Sequence, residues 1–203
     1  SNPTGGTLPL LKRRKLVELA FEYGFYIFAD EVYHLLHWGE SPLPPRFAHV
    51  EALIQSERDK RKQQRQNEEF SSKVVSISSF SKILAPGLRI GWIEAASDLI
   101  DLISNRGYLS SGGSVAPFTS GVVGKFITIG YLPKFLNTLK EQYRQRSTIL
   151  AKALNAESKA TGWTYPGMPC APAGGYFLWL RLPRDIDECS LIIEAQIQNI
   201  SYL

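Results

Sequence analysis

The chain has 203 residues, 44% of them hydrophobic, which is enough for one large domain or two small ones with a buried core. Its formal net charge is +4, and residues 55–73, with six basic and four acidic residues, carry half of this excess. Because these charges are mixed in sign and Phe70 is the only aromatic residue among them, we expect a solvated flexible insertion and no nucleic-acid partner.

The first half of the chain alternates helices with apolar strands. Residues 9–24 place apolar side chains near a helical period and predict an amphipathic helix with a basic outer face, which stops at Gly24. Apolar runs at 25–33, 73–80 and 88–95 predict three strands, and the first of them delivers Asp30. This alternation predicts an α/β fold, a three-layer αβα domain over residues 1–131, whose ligands gather at the carboxyl ends of the strands.

The second half of the chain has a different composition. A helix at 97–107 and another that ends at Gly130 precede a long polar helix predicted over 132–157, which is long enough to bridge two domains. From about residue 160 the sequence is rich in proline and glycine, and it then predicts a strand at 176–182 and a helix at 187–199. This order indicates part of a smaller α+β domain over residues 158–203.

Membrane, disulfide and metal signals are weak. No apolar run is long enough to cross a bilayer, so we expect no membrane partner. Cys170 and Cys189 do not form a disulfide framework, and His34, His37 and His49 lack a zinc-binding pattern, so we expect no metal. Free thiols favour a reducing compartment, and we expect the cytoplasm, although a targeting segment could lie upstream because the sequence does not begin with methionine.

The segment SSFSKILAPGLRIGW at 78–92 contains the first candidate for catalysis, Lys82. A lysine that attacks a carbonyl must be uncharged part of the time, and burial or a nearby cation such as Arg89 favours the uncharged amine. Arg89 also forms, with the hydroxyls of Ser79 and Ser81, an anion site suited to a phosphate group. Because the spacing of a nucleotide-binding phosphate loop is absent, a lysine that forms a Schiff base with pyridoxal phosphate fits better.

Pyridoxal phosphate makes further demands on the protein, and other segments meet them. Its pyridine nitrogen must stay protonated, and Asp30 at the end of an apolar strand is a suitable carboxylate partner. Its phenolic oxygen needs hydrogen-bond donors, and Tyr33 and Asn2 offer a hydroxyl and an amide. Two neighbouring residues have simpler interpretations: we expect Glu31 to be a structural ion-pair partner, and His34 to have a packing role.

Three motifs, in this order, resemble the signatures of fold-type I, class I and II aminotransferases that depend on pyridoxal phosphate: NPTGG at 2–6, DEVY at 30–33 and SFSKILAPGLRIG at 79–91. The GGYFLWLRLP segment at 174–183 is similar to the start of the family's small domain. The seven-residue spacing from Lys82 to Arg89 is nearest to the 2-aminoadipate and kynurenine aminotransferase branch, although regulators with an aminotransferase-like domain share a similar turn.

The resemblance implies a transfer of an amino group from an α-amino acid to a 2-oxo acid, and a homodimer in the full-length form. It implies that Lys82 is the catalytic lysine, which forms the Schiff base and moves the proton. The cofactor-binding residues that it implies are Asp30 at the pyridine nitrogen, Tyr33 and Asn2 at the phenolic oxygen, Lys82 at the aldehyde, and Ser79, Ser81 and Arg89 at the phosphate.

Two functions stay open at this point. The family's upstream phosphate loop and its C-terminal carboxylate-binding arginine have no match here, and Arg181 and Arg184 lie too early to take the arginine's place. The chain is therefore expected either to be a portion of a working aminotransferase, or to be a truncated, catalytically incompetent module that binds only cofactor or a partner.

Overall fold

The computed structural model describes residues 2–62, 71–110 and 116–200. Within them lie seven helices: α1 Leu10–Tyr23, α2 Phe47–Lys62, α3 Ser97–Ser104, α4 Gly107–Ser110, α5 Pro117–Thr128, α6 Tyr131–Thr161 and α7 Glu188–Ile197. The strands of this part of the chain are β1 Ile27–Asp30, β2 Val74–Ser79 and β3 Gly91–Ala95, and a 3-10 turn covers Pro86–Leu88. This order confirms the predicted α/β fold.

The three strands form one sheet in the order β1-β2-β3. β1 and β2 are parallel, with Asp30 opposite Ile77, so their carboxyl ends lie at the same edge. β2 and β3 are antiparallel, with Ser79 opposite Gly91. A Cβ atom at Gly91 would lie 2.7 Å from the Ser78 carbonyl oxygen, so only glycine allows β3 to approach β2 this closely.

Helices α1 and α2 cover one face of the sheet and build the first hydrophobic core. The chain can turn from α1 into β1 because Gly24 adopts a left-handed conformation with φ 75°, and its N–H donates to the Ala20 carbonyl at 2.9 Å. Burial of these aliphatic side chains fixes both helices on the sheet. The buried members of this core are Val17, Ala20, Ile27, Ala29, Phe47, Val50, Ile54 and Val74.

A second core lies beyond the carboxyl ends of the strands, where α5 and α6 pack against the turn that follows β2. Its buried side chains come from four segments and are Leu36, Phe80, Ile83, Val123 and Leu136. Because Phe80 and Ile83 flank Lys82 in the sequence, this core fixes the backbone around the candidate lysine. None of the helices described is both long and apolar enough to span a membrane.

The predicted flexible insertion at 55–73 is partly wrong, because α2 continues through its first eight residues to Lys62. Arg14 on α1 pairs with Glu57 at 2.6 Å, and the Arg58 guanidinium lies 4.7 Å from the ring centroid of Phe21. These contacts hold the polar end of α2 against α1, which composition alone does not reveal. Residues 63–70, including Phe70, lie outside the described part of the chain.

The second half of the chain also differs from the prediction. The long helix is confirmed, but α6 runs from Tyr131 to Thr161 and so extends four residues past the predicted end. The strand predicted at 176–182 is wrong: this segment makes an isolated bridge, Thr164 with Arg181, and no ladder within the described residues. A strand requires a continuous partner strand, and within the described residues this segment has none. The proposed division into domains at 131 and 158 stays a prediction.

Candidate active site

The candidate site lies at the carboxyl edge that β1 and β2 share. Asp30 is the last residue of β1 and Ser79 is the last residue of β2. The loops that leave these two ends carry Tyr33 and Lys82. Parallel pairing therefore brings together two motifs that are about 50 residues apart in the sequence. This is the edge at which the α/β fold was predicted to gather its ligands.

Asp30 presents an accessible carboxylate at this edge. Burial alternates along β1, so Ala29 and the following Glu31 are buried while Asp30 is exposed. One oxygen of Asp30 accepts a hydrogen bond from the Val32 N–H at 3.3 Å, which orients the side chain at the start of the loop. The carboxylate keeps most of its hydrogen-bonding capacity for a ligand.

Tyr33 and Lys82 meet above the sheet edge. The Lys82 Nζ atom lies 6.0 Å from the ring centroid of Tyr33. Burial, and then the negative charge of Asp30, raise the pKa of Tyr33 above its ordinary value. The Tyr33 phenol is therefore a stable hydrogen-bond donor at neutral pH, as a partner for a phenolate oxygen requires.

The turn that carries Lys82 is anchored by its neighbours. The Phe80 carbonyl accepts hydrogen bonds from the N–H groups of Ile83, Leu84 and Ala85 at 3.2, 2.8 and 3.2 Å. Phe80 and Ile83 are buried, whereas Lys82 between them is only half-buried. The backbone is therefore rigid while the amine remains reachable.

Ser79, Ser81 and Arg89 form a connected polar group beside that turn. Ser79 Oγ accepts a hydrogen bond from the Ser81 N–H at 3.0 Å. The Arg89 guanidinium donates to Ser81 Oγ at 3.5 Å and to the Pro86 carbonyl at 3.1 Å. Arg89 adopts a left-handed backbone with φ 53°, which is unfavourable for a residue with a Cβ. This backbone places an exposed cation next to the Ser81 hydroxyl, an arrangement that suits a phosphate.

Asn2 is the predicted site residue that the structure does not join to the others. It is exposed, and no hydrogen bond of the described residues links it to Asp30, Tyr33 or Lys82. Its turn nevertheless reaches this region, because a Cβ at Gly5 would lie 2.9 Å from the Phe177 carbonyl oxygen. The Phe177 ring in turn lies 5.9 Å from that of Tyr33.

A cleft of about 270 Å³ opens beside Asp30 and Tyr33, at the carboxyl end of β1. Its lining combines the NPTGG turn, the end of β1 and the loop around Gly174. Asp30, Tyr33 and His34, at the end of β1 and in the loop that follows, are among its polar groups, together with Arg13 and Glu31. Desolvation, the largest effect, lowers the pKa of His34 below its ordinary value, while charges on both sides partly cancel. The cleft therefore combines carboxylates, a guanidinium and an imidazole that releases its proton more readily than usual.

Behind the edge lies a buried charge network that sequence reasoning found only in part. Glu31 accepts hydrogen bonds from Arg13 at 2.8 Å and from the Arg46 Nε at 3.4 Å, which confirms its structural ion-pair role. Arg46 also donates to Ser78 Oγ at 2.7 Å and pairs with Glu94 on β3. Arg46 thus connects residues that adjoin Asp30 and Ser79, and it links all three strands.

The basic outer face predicted for α1 is wrong for one of its basic residues, Arg13. Arg13 is 7% exposed, while the neighbouring Arg14 pairs at the surface. A signal was available, because Arg13, Val17 and Ala20 follow the i, i+4, i+7 spacing of one helical face. No comparable signal exists for Arg46, since its partners come from distant segments. Nor did the GGYF motif reveal that Tyr176 contacts the Lys82 turn.

Comparison with known proteins identifies the family of the chain. The chain matches the sequence profile described as aminotransferase class I and II over residues 1–199. It is 30% identical over 214 residues to aromatic-amino-acid aminotransferase 1 of Thermococcus litoralis, covering 100% of this chain and 42% of that protein.

The solved structures with a similar fold include aminotransferases. The fold is similar to that of alpha-aminoadipate aminotransferase from Thermus thermophilus complexed with N-(5'-phosphopyridoxyl)-L-leucine, with a TM-score of 0.75, 25% identity, and coverage of 100% of this chain and 46% of that one. For kynurenine aminotransferase from Pyrococcus horikoshii the TM-score is 0.73, with 27% identity and coverage of 100% and 44%. The chain spans less than half the length of these relatives.

Proposed function

Because the chain belongs to the aminotransferase class I and II family, we propose that it is part of a pyridoxal-phosphate-dependent enzyme that moves an amino group from an α-amino acid to a 2-oxo acid. The observation that carries the proposal is the accessible amine of Lys82, 6.0 Å from the Tyr33 ring at the edge that also bears Asp30. A reachable lysine, a phenol and a carboxylate on one sheet edge meet three separate demands of this cofactor.

The donor set fits the proposed cofactor in kind. Asp30 would face the pyridine nitrogen, since it is an exposed carboxylate with spare acceptor capacity. Tyr33 and Asn2 would serve the phenolic oxygen. Ser79, Ser81 and Arg89 would hold the phosphate, and their existing hydrogen bonds already join them into one polar group. When bound, pyridoxal phosphate supplies an aldehyde that captures amines and a ring that accepts an electron pair.

The protein's own residues then divide the work. Lys82 Nζ would take the proton from the α-carbon of the amino acid and return a proton later, as a positioned general base and acid. Asp30 would keep a positive charge on the ring nitrogen by facing it with a carboxylate. Tyr33 would donate a hydrogen bond to the phenolic oxygen and stay protonated at neutral pH, because its pKa is raised.

The experiment is to treat the purified chain with pyridoxal phosphate, reduce it with borohydride, and locate the attached group by mass spectrometry. We expect attachment at Lys82, together with a visible absorbance band before reduction. Lys82→Ala should abolish both. Lys125→Ala, which removes an exposed lysine on α5, is the matched control and should change neither. Attachment spread evenly over surface lysines would refute the assignment of Lys82.

A second candidate is a module that binds cofactor or a partner chain without turnover. The observation that favours it is that Asn2 is exposed and that no hydrogen bond of the described residues links it to Asp30, Tyr33 or Lys82. The two candidates are separated by assaying the chain and the full-length gene product with 2-oxoglutarate as amino acceptor. Aromatic amino acids and 2-aminoadipate are the first donors to screen, because the relatives' names include both. Turnover by neither protein would remove the enzyme proposal.

We also propose that the full-length protein is a homodimer in the cytoplasm. The family resemblance supports the dimer, and sedimentation equilibrium of the full-length protein measures it. Free, exposed Cys170 and Cys189 support a reducing compartment.

A further inference from the structure

Tyr176 lies in a loop whose position is fixed by the core beside the site. The Gly175 N–H donates to the Leu36 carbonyl at 2.9 Å, and a Cβ at Gly174 would lie 2.5 Å from the same oxygen. Leu36 is completely buried. Since two glycines let the loop touch this buried backbone, the next residue, Tyr176, can project only over a limited region.

That region is the Lys82 turn. The Tyr176 hydroxyl donates a hydrogen bond to the backbone carbonyl of Lys82, 94 residues earlier in the sequence. The Lys82 Nζ atom lies 6.0 Å from the ring centroid of Tyr176, the same distance as from that of Tyr33. The Tyr176 side chain therefore makes two contacts with Lys82: its hydroxyl binds the Lys82 backbone, and its ring lies near the Lys82 amine.

Other aromatic rings hold Tyr176 in this orientation. Its ring packs edge-on against Tyr33 with centroids 5.5 Å apart, and lies 4.9 Å from that of Tyr143 on α6. Trp38 stacks on the far side of Tyr143 at 6.4 Å. Burial first, and the neighbouring Tyr143 phenol second, raise the pKa of Tyr176. Its hydroxyl thus remains a donor throughout the neutral range.

We propose that Tyr176 is a positioning residue for Lys82. Its hydroxyl restrains the backbone at Lys82, while its ring and that of Tyr33 form two aromatic walls that contact the Nζ atom and restrict where it lies. The restraint on Lys82 does not depend on the proposed function, because these contacts exist without a cofactor. Only the catalytic role of Lys82 rests on that function.

The amine contact is tested by competitive labelling of lysines with acetic anhydride on the full chain without cofactor, read by mass spectrometry. The two aromatic walls hold the amine and limit its contact with the reagent, so loss of one wall should speed labelling. We expect Tyr176→Leu to raise the rate at Lys82 about two- to fivefold, the size of one exposed cation–π contact. Tyr176→Phe keeps the ring and should stay near the wild-type rate. Lys134, 6.0 Å from the Tyr131 ring, is the internal control and should not change.

The backbone contact is tested by amide hydrogen exchange of Tyr176→Phe. The N–H groups of Ile83, Leu84 and Ala85 should exchange about fivefold faster than in wild type, the size of one neutral hydrogen bond. Amides of β1 should not change. If Tyr176→Leu unfolds, this measurement decides alone.

The proposal is overturned if Tyr176→Leu changes Lys82 and Lys134 alike in a folded protein, or if exchange in the turn is unaltered by Tyr176→Phe. Failure of the wild-type chain to capture pyridoxal phosphate would instead overturn the proposed function. The labelling and exchange results would stand in that case, since neither uses the cofactor.

Discussion

The buried charge network and the Lys82 turn lie at the same edge of the sheet, but their cations differ in burial and in the groups that contact them. Arg13 and Arg46 have side chains only 8% and 12% exposed and are bound by carboxylates. Lys82 is half-buried and faces aromatic rings, and Arg89 is exposed, with a 3.5 Å contact to a serine hydroxyl. The first pair is compensated and so stabilises the fold. The second pair keeps its charge available for a ligand, as functional sites commonly do at some cost in stability.

The largest effect should come from breaking the buried network. Arg13→Met leaves the Glu31 carboxylate with fewer charged partners inside the protein, and we expect it to lower the free energy of unfolding by about 3–5 kcal/mol. Arg14→Met is a matched control one residue away, because the Arg14–Glu57 pair is partly solvated. Its cost should stay below about 1 kcal/mol. Urea denaturation measures both, and equal costs would erase the distinction between the two kinds of cation.

A smaller effect is expected at Arg89, where the choice of the replacement residue changes the stability of the protein. Its φ of 53° is strained for any residue with a Cβ, so Arg89→Gly should be more stable than Arg89→Ala by about 1 kcal/mol. Both variants lose the guanidinium, and we expect both to bind pyridoxal phosphate at least about tenfold more weakly. Thermal denaturation and absorbance titration give the two quantities. If Arg89→Gly and Arg89→Ala are equally stable, the left-handed backbone at residue 89 is not strained.

The smallest effect should be a pH dependence at the border between the two regions. Burial lowers the pKa of His34, whose neighbours in the network are Glu31, Arg46, Arg13 and Glu94. The unfolded chain therefore binds a proton more readily than the folded one. The free energy of unfolding should fall as pH drops below about 6.5, and His34→Gln should flatten that slope.

The control for His34 is His49→Gln, which changes an exposed histidine on α2. It should leave the slope of stability against pH as it is in the wild type. Denaturation curves between pH 7.5 and 5.5 provide the comparison. An identical slope in wild type and His34→Gln would show that His34 does not couple to folding.

Much of the fold was predictable because it depends on local patterns. The apolar run before Asp30 and the spacing in α1 and α6 reflect periods of strand and helix, which neighbouring residues determine. The strand predicted at 176–182 failed for the opposite reason. Its β-rich sequence is necessary for a strand, but a ladder also needs a partner, and the partner's position is a property of the whole fold.

Within the candidate site the same division holds. Asp30, Tyr33 and Lys82 could be named because each follows a strand within a few residues, and parallel pairing then brings their strand ends together. Asn2 was named by its motif alone, and the structure leaves it exposed and unconnected to the other three. Its role as a cofactor donor stays a prediction.

The sequence by itself determined which chemical groups the candidate site contains: a lysine in a rigid turn, a carboxylate at a strand end, and hydroxyls beside an arginine. Only the tertiary structure decided that Arg46 would link three strands behind them and that Tyr176 would face Lys82. The physical reason is range. Turns and strand ends are specified by adjacent residues, whereas a buried ion network or an aromatic contact across 94 residues exists only after packing has brought distant segments together.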